Sequence, residues 1–500
     1  MKNTFIVIPL LAFLIAGCDV LPGAEALFQA DPPPDQYSPY YLVTAAPDAS
    51  ATPTPFQPSA PVVFNDQQVP PSMTYPTGTM SQVTPVATIT PFPTPTTLNG
   101  EAQEGTTIQP TPQVVTTPQP VIDAPESVTF LLLGSDTRGG TSFRTDTIVI
   151  AAIRPHDGQV SLISLPRDLW VNIPTVGMQR INTAYQFGEY GGYAGGGPGL
   201  LKDTILYNFG LQIDHTAMVD FNGFRQIVGT IGGIDVPISC PYTDWRLIDP
   251  GYDPENENNW TLYTAGPGLI HMDGDYALWY ARSRKKSNDF DRGRRQQEVL
   301  RAIYAQALNT NLAPQIPQLY SDLSSALTTD LGLGDILTLS PLALHLTNAD
   351  IRSYYISGEL VSGWITPGGA DVLVPNTELI QAMLKDALAA SPRQHERQTV
   401  KVEIQNGSSS DGWDALAAQR LNYAGYTAFF HPADNRQHAQ TLLYDLTPDQ
   451  DRARSSSLLA VLGLPDATLV SAPATNASAA YALIVGDDYN ACFDPHGLTP

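Results

Sequence analysis

The sequence predicts an α/β (α+β) protein: a mixed central β-sheet covered by helices, followed by a second, smaller α/β unit. Three observations carry this. Short apolar runs closed by turn residues mark strands. Segments with helical periodicity are interleaved with them, which is the pattern of helices packed on a sheet. The alternation stops at a polar stretch, residues 391–398, and then restarts.

Taken in order, Val128-Thr129-Phe130-Leu131-Leu132-Leu133-Gly134 is an apolar run stopped by glycine, the sign of a buried strand, and order is expected to begin at Val128. Residues 147–153 and 159–165 are two further strands, and Asp157-Gly158 makes them a hairpin. Residues 200–209 read as a helix after a glycine-rich approach, 217–220 as a strand, and 221–231 as a helix. Residues 273–281 are helical and 292–308 form an amphipathic helix, with further helices expected at 314–326 and 335–346. A Pro/Gly-rich loop and a helix fill 366–390, and 391–398 read as a linker. The main domain therefore spans 126–390 and the smaller one 399–490. In the latter Val400-Lys401-Val402-Glu403-Ile404 alternates as a strand, and Asn406-Gly407 turns the chain. Helices follow at 413–424 and 449–462, with strands at 428–430, 441–444 and 481–485. The smaller domain shows no cluster of catalytic residue types.

The N-terminal part differs in kind. Residues 19–125 contain no Lys or Arg, and 21 of the 44 prolines lie between 31 and 125. Proline lacks a donor and fixes φ, so this stretch reads as an extended tether. Ahead of it, Met1-Lys2-Asn3 and the apolar residues 5–15 end in Ile15-Ala16-Gly17-Cys18. The apolar run is short for a membrane span. Small residues followed at once by cysteine resemble a bacterial lipoprotein signal, so residues 1–18 are expected to be a signal peptide with Cys18 the lipidated residue. The expected location is extracytoplasmic, lipid-anchored to the cell membrane, with no transmembrane helix. Cys240 and Cys492 remain; in an exported protein they are able to pair.

The formal net charge is −23, which argues against non-specific nucleic-acid binding. Against that background Arg282, Arg284, Lys285, Lys286, Arg292, Arg294 and Arg295 crowd one short stretch. Arg presents a planar fork of donors that matches phosphate oxygens two at a time. Asp289, Arg292 and Gln296 are about one helical turn apart and share a face. Three other segments stand at strand ends, where sites assemble in α/β sheets, and a fourth follows them. Asp136, in Gly134-Ser135-Asp136-Thr137-Arg138, and Asp146, in Arg144-Thr145-Asp146-Thr147, fit a Mg2+ held against a phosphate. Alone, they read better as turn-forming aspartates. Ser164-Leu165-Pro166-Arg167-Asp168 adds a further guanidinium, with Asp168 as its orienting partner or a base. Arg180-Ile181-Asn182-Thr183-Ala184-Tyr185 precedes a glycine-rich stretch, residues 191–199, whose spacing is that of no phosphate-binding loop; its glycines read as a surface loop.

In order, these segments resemble the motifs of the LytR-CpsA-Psr cell-wall ligases. The family's L-L-G-S-D-x-R, R-S-D-T, S-I-P-R-D and K-I-N-x-A-Y correspond to the segments ending at Arg138, Thr147, Asp168 and Tyr185. Its G-G-V/I-D-V is Gly232-Gly233-Ile234-Asp235-Val236. Its L-x-G-x-x-A-L-x-Y-x-R-x-R and D-F-x-R-x-x-R-Q lie at 272–284 and 289–296. Thr145, Arg180 and Met272 depart from the usual Ser, Lys and Leu. Val402-Glu403-Ile404-Gln405-Asn406-Gly407 resembles the smaller C-terminal domain often attached to this family. The resemblance implies a phosphotransferase that attaches a polyprenyl-pyrophosphate-linked glycopolymer to peptidoglycan or another envelope acceptor. The catalytic set it implies is Asp136, Arg144, Asp146, Arg167 and Asp168. The pyrophosphate would meet Arg144, Arg167, Arg282, Arg284, Arg292, Arg295, Gln296 and Asn182. Asp136 and Asp146 would hold Mg2+ or Mn2+, and the base is left open between Asp136 and Asp168. Lys285, Lys286 and Arg294 fall off the pattern and read as surface charge. The helices at 200–209 and 221–231 would line a groove for the polyprenyl chain or serve as ordinary core. The acidic insert at 241–260 bears on the acceptor side. A hydrolase acting on the same donor and a non-catalytic lipid-glycan-binding protein are the alternative readings.

Overall fold

The structure, a computed structural model, describes residues 117–135, 145–284, 286–309, 327–331, 346–431, 433, 435–475 and 477–492. The expected signal peptide, most of the tether and the helix at 314–326 lie outside the described residues, as does 335–345 of the other expected helix.

The main domain runs β1 (Val128–Ser135), β2 (Thr145–Arg154), β3 (Gln159–Ser164), β4 (Trp170–Ile173), β5 (Gly177–Arg180), α1 (Ala184–Tyr190), α2 (Gly196–Phe209), β6 (His215–Asp220), α3 (Phe221–Thr230) and β7 (Ile234–Ile238). It continues with β8 (Tyr242–Leu247), β9 (Trp260–Ala265), β10 (Gly268–Met272), α4 (Gly274–Arg282), α5 (Asp289–Asn309), β11 (Leu327–Thr329), β12 (Ile351–Tyr355), β13 (Val361–Ile365), β14 (Asp371–Pro375) and α6 (Thr377–Leu388).

The central sheet has the order β11-β6-β1-β2-β3-β12 and is mixed. β1, β2 and β3 are successively antiparallel, whereas β1–β6 and β3–β12 are parallel. The apolar runs are continuous because both sheet faces are covered. On β2, Ile148, Ile150 and Ala152 enter one core with α1, α2 and α6, while Val149, Ala151 and Ile153 enter the other with α5. Each large apolar side chain buried there contributes about 1.5–3 kcal/mol. A third core joins α3, β7, α4 and the middle of α5.

This topology collects four chain segments at one sheet edge. The end of β1 lies beside both the start of β2 and the end of β6, with Ser135 opposite Thr145 and Asp220. Because β3 is antiparallel to β2, its last residue, Ser164, also returns to that edge, opposite Val149.

Several expectations are corrected. Order begins before Val128: the Gln119 and Ile122 amides donate to the Tyr207 and Gly210 carbonyls, and Ile122 is buried. The glycine-rich stretch 191–199 divides: Gly191, Gly192 and Gly195 are exposed, as a surface loop would have them, whereas Gly197 and the preceding Gly188 are packing residues. A Cβ on Gly188 would come within 2.4 Å of the Gly196 carbonyl, and one on Gly197 within 2.4 Å of the Tyr185 ring. Residues 366–390 hold part of a β13–β14 hairpin ahead of α6. The acidic insert is the β8–β9 hairpin.

Residues 391–398 are a short helix, α7 (Pro392–Gln398), capped by the Ser391 hydroxyl, which accepts from the Gln394 amide at 3.3 Å. Beyond it lie β15 (Lys401–Asn406), α8 (Trp413–Tyr423), β16 (Thr427–His431), β17 (Leu442–Asp445), α9 (Arg452–Leu462), β18 (Leu469–Ser471) and β19 (Tyr481–Val485), with sheet order β16-β15-β19-β17-β18. This domain has its own core. Several contacts fasten it to the main domain. Gln394 is buried and donates to the Ala349 carbonyl at 2.6 Å. The Arg301 guanidinium lies 4.3 Å from the Tyr423 ring centre. Cys240 and Cys492 form a disulfide with Cα atoms 4.3 Å apart. Among the described residues no helix is long and apolar enough to cross a membrane.

Candidate active site

The sheet edge carries a cage of alternating charge. Asp146 is the second residue of β2, and its Oδ1 accepts from Arg167 Nη1 at 2.6 Å. Arg167 follows β3, and its Nε faces Asp168 at 3.5 Å and Asp289 at 3.8 Å. Arg180, closing β5, places its Nε 3.2 Å from the other oxygen of Asp168. Asp289 opens α5, where the helix dipole favours a carboxylate. Its Oδ1 is 2.6 Å from Arg292 Nη2 and 3.9 Å from Arg284 Nη1. Arg292 also donates to the Asp146 carbonyl at 3.4 Å. The loops themselves are tied together: the Asn182 amide donates to the Arg167 carbonyl at 3.3 Å, and Thr145 Oγ1 to the Asn182 carbonyl at 3.3 Å.

The electrostatics favour an added anion. Burial alone would raise the Asp146 carboxyl, but Arg167 and then Arg292 outweigh it and hold the group below its ordinary value of 3.8. Burial likewise works against Arg167, yet Asp146, Asp168 and Asp289 together keep it above its usual range. Arg284 and Arg292 are different. Burial pushes both down, and repulsion from Arg167 adds to it, so that Asp289 and Asp146 leave them under-compensated. Four guanidiniums (Arg167, Arg180, Arg284, Arg292) meet three carboxylates (Asp146, Asp168, Asp289). Three buried acceptors at this edge, Ser135 Oγ, Asn182 Oδ1 and Asp289 Oδ1, and two donors, Arg167 Nε and Arg180 Nε, have no well-aligned hydrogen bond among the described residues.

The expected site residues therefore divide. Asp146, Arg167, Asp168, Arg284 and Arg292 come together, with Asn182 directly behind them. Asp136 and Arg144 lie outside the described residues. Arg282 stacks on the Phe221 ring at 4.0 Å, at the start of α3 and so at the same edge. Gln296 donates from Nε2 to Thr147 Oγ1 at 2.8 Å and to the Ala281 carbonyl at 3.3 Å, holding α5 to β2 and α4. Arg295 departs from the phosphate clamp: it is fully buried, paired with Asp291 at 3.0 Å and bonded to backbone carbonyls. Arg294 is not a surface charge. It is largely buried between Asp291 and Glu298. Lys286 is exposed as expected, and Lys285 lies outside the described residues. Two members of the cage, Asp289 and Arg180, were not among the expected site residues. The signal for Asp289 was its position three residues before Arg292, which puts both on one helix face.

A LytR_cpsA_psr family model matches residues 96–388, more than half of the chain. The chain belongs to the LytR-CpsA-Psr family. A second match, to the LytR cell envelope-related transcriptional attenuator domain, covers residues 399–489. Among its LytR-CpsA-Psr relatives, the polyisoprenyl-teichoic acid–peptidoglycan teichoic acid transferase TagU of Oceanobacillus iheyensis is 32% identical over 244 residues, covering 48% of this chain and 70% of that one. TagU of Enterococcus faecalis is 31% identical over 273 residues, covering 53% and 80%. The crystal structure of B. subtilis TagV aligns with a TM-score of 0.42 at 24% identity, over 54% of this chain and all of that one.

No group of three or more candidate metal ligands occurs among the described residues. Asp146 is nonetheless suited to a divalent cation. It is ionised, its side chain is 33% exposed, and Arg167 pairs with only one of its oxygens.

Proposed function

We propose that this member of the family transfers a polyprenyl-pyrophosphate-linked glycopolymer to a hydroxyl of peptidoglycan or another envelope acceptor. The observation that carries this reading is the convergence of four guanidiniums, Arg167, Arg180, Arg284 and Arg292, on three carboxylates at one sheet edge of an acidic protein. Pyrophosphate transfer needs positioning and charge neutralisation more than covalent catalysis. In the reaction the acceptor oxygen bonds to the phosphorus attached to the glycan. The bridging P–O bond breaks and polyprenyl phosphate leaves, while the hydroxyl proton passes to a base or solvent. Arg284, Arg292 and Arg167 hold the non-bridging oxygens and stabilise the charge that builds on the leaving phosphate. Asp289 holds Arg284 and Arg292 in reach, and Asp168 orients Arg167 against Arg180. Asp146, with Asp136, would hold Mg2+ or Mn2+, which supplies further neutralisation of the pyrophosphate.

Lipidation at Cys18 would keep the enzyme at the membrane where the donor resides, and the proline-rich stretch would act as its tether. The Cys240–Cys492 disulfide fits an exported protein, since such bonds persist in oxidising compartments. The test is a transfer assay with the full chain, a synthetic lipid-pyrophosphate-glycan, Mg2+ and a peptidoglycan fragment. Glycan joined to the fragment, and lost in Asp136→Ala, is the expected result. Release of glycan without transfer would make the protein a hydrolase, and donor binding without turnover would make it a binding protein.

A further inference from the structure

Arg295 comes from the same cationic run as Arg284 and Arg292 but has another task. Its side chain is 0% exposed and its donors are committed. Nε donates to Asp291 Oδ2 at 3.0 Å, Nη1 to the Tyr280 carbonyl, and Nη2 to the Ser283 carbonyl and to Ser287 Oγ at 3.2 Å. Its flat face lies 4.0 Å from the Tyr242 ring centre. Tyr280 and Ser283 stand at the end of α4, where carbonyls lack intrahelical partners and the dipole favours a cation. Ser283 is the extended C-cap residue, and Arg284 follows it at once. Ser287 lies on the far side of the same turn. Arg295 thus grips both sides of the turn that carries Arg284.

Arg284 needs such a support. Its side chain is 34% exposed and its ion pair with Asp289 is long, 3.9 Å. Its direction is therefore set mainly by its backbone. Tyr242 steadies Ser283 from the other side: its hydroxyl donates to Asp244 Oδ2 at 2.8 Å and accepts from Ser283 Oγ at 3.1 Å. We propose that Arg295 is a positioning residue, which fixes Ser283 and Ser287 on either side of Arg284 and so aims Arg284 at the pyrophosphate without touching it. Only a planar fork serves acceptors on two sides at once; an ammonium is a point charge with a different reach. The proposal rests on reading the Asp289-centred cage as a pyrophosphate site.

The experiment is a double-mutant cycle on the full chain, with inorganic pyrophosphate and Mg2+ titrated calorimetrically and a thermal melt of each variant. Arg284→Ala and Arg295→Lys are each expected to weaken binding about tenfold, the effect of losing one charge-assisted contact. If Arg295 acts through Arg284, the double variant binds within about twofold of Arg284→Ala alone, because coupled residues are not additive. Losses that multiply to about a hundredfold would overturn the proposal, as would an Arg295→Lys variant that melts lower yet binds as the parent does. An Arg284→Ala variant with undiminished binding would remove the site reading itself, and the proposal with it. Should Arg295→Lys fail to fold, Ser287→Ala decides. A loss of about twofold or more that vanishes in the Arg284→Ala background supports positioning, and no loss refutes it.

Discussion

Replacing Arg167 separates the structural and chemical roles of the cage. Its Nη1 pairs with Asp146 at 2.6 Å, and its Nε edge faces Asp168 and Asp289 at 3.5 and 3.8 Å. The guanidinium is 14% exposed and Asp146 33%, so the pair is intermediate between a surface and a buried one. Exposed pairs contribute about 0–1 kcal/mol, and breaking buried ones costs about 3–5 kcal/mol. Arg167→Ala is therefore expected to cost about 2 kcal/mol of stability, or a fall in Tm of roughly 4–8 °C at about 2–4 °C per kcal/mol. The chemical loss is larger. A preorganised donor aimed at developing charge is worth about 3–4 kcal/mol, so kcat/KM for the lipid-pyrophosphate donor should fall about 100- to 1,000-fold. Arg167→Lys restores one charge but not the fork, so it should recover most of the Tm and little of the rate. The assay is donor turnover measured well below the melting range of each variant. Near-parental kcat/KM in Arg167→Ala, with only the melt lowered, would refute the assignment of this cage to phosphate.

Three further outcomes are expected. Asp146 has a folded pKa below its ordinary 3.8, so its contribution to stability is present above that value and is lost as pH falls through the lower folded one; acid titration of the melt should lose this step in Asp146→Asn. The Cys240–Cys492 bond spans 252 residues, for which the chain-entropy relation gives about 5 kcal/mol, so a Cys240→Ser/Cys492→Ser pair should unfold at markedly lower urea, with the C-terminal domain released first in hydrogen exchange. In Gly188→Ala the new Cβ would meet the Gly196 carbonyl at 2.4 Å and Leu200 Cβ at 2.8 Å, so about 1–3 kcal/mol should be lost in a urea titration as α1 is pushed off α2.

The buried strands were legible because both faces of the central sheet are covered. β1, β2 and β3 had to be nearly continuous apolar runs. The two-stranded hairpins were not. β13 reads Val-Ser-Gly-Trp-Ile with half its side chains in solvent, and the following Pro and Gly dominate its signal. Polar composition also hid α7. The sequence 391–398 has no apolar face, and the helix stands on a serine cap, a proline at its first turn and one buried glutamine. Composition described the surface of that segment correctly and missed the polar contacts that order it, from Gln394 to Ala349, Gln398 to Asp350 and Arg397 to Ala424.

For the cationic run the information was present in the helical phase. Arg292 and Gln296 differ by four residues and share a face with Asp289. Asp291 and Arg295 differ by four as well, as do Arg294 and Glu298, and these define the neighbouring face. At 3.6 residues per turn, Arg295 is about 60° around the helix from Arg292. The Arg292 face is turned to the sheet edge, where Asp146 waits; the Arg295 face is turned to the end of α4 and Tyr242. A basic motif read as a string counts its arginines equally. Wound on α5, it turns Arg292 to the sheet edge beside Asp146 and Arg295 to the turn that carries Arg284.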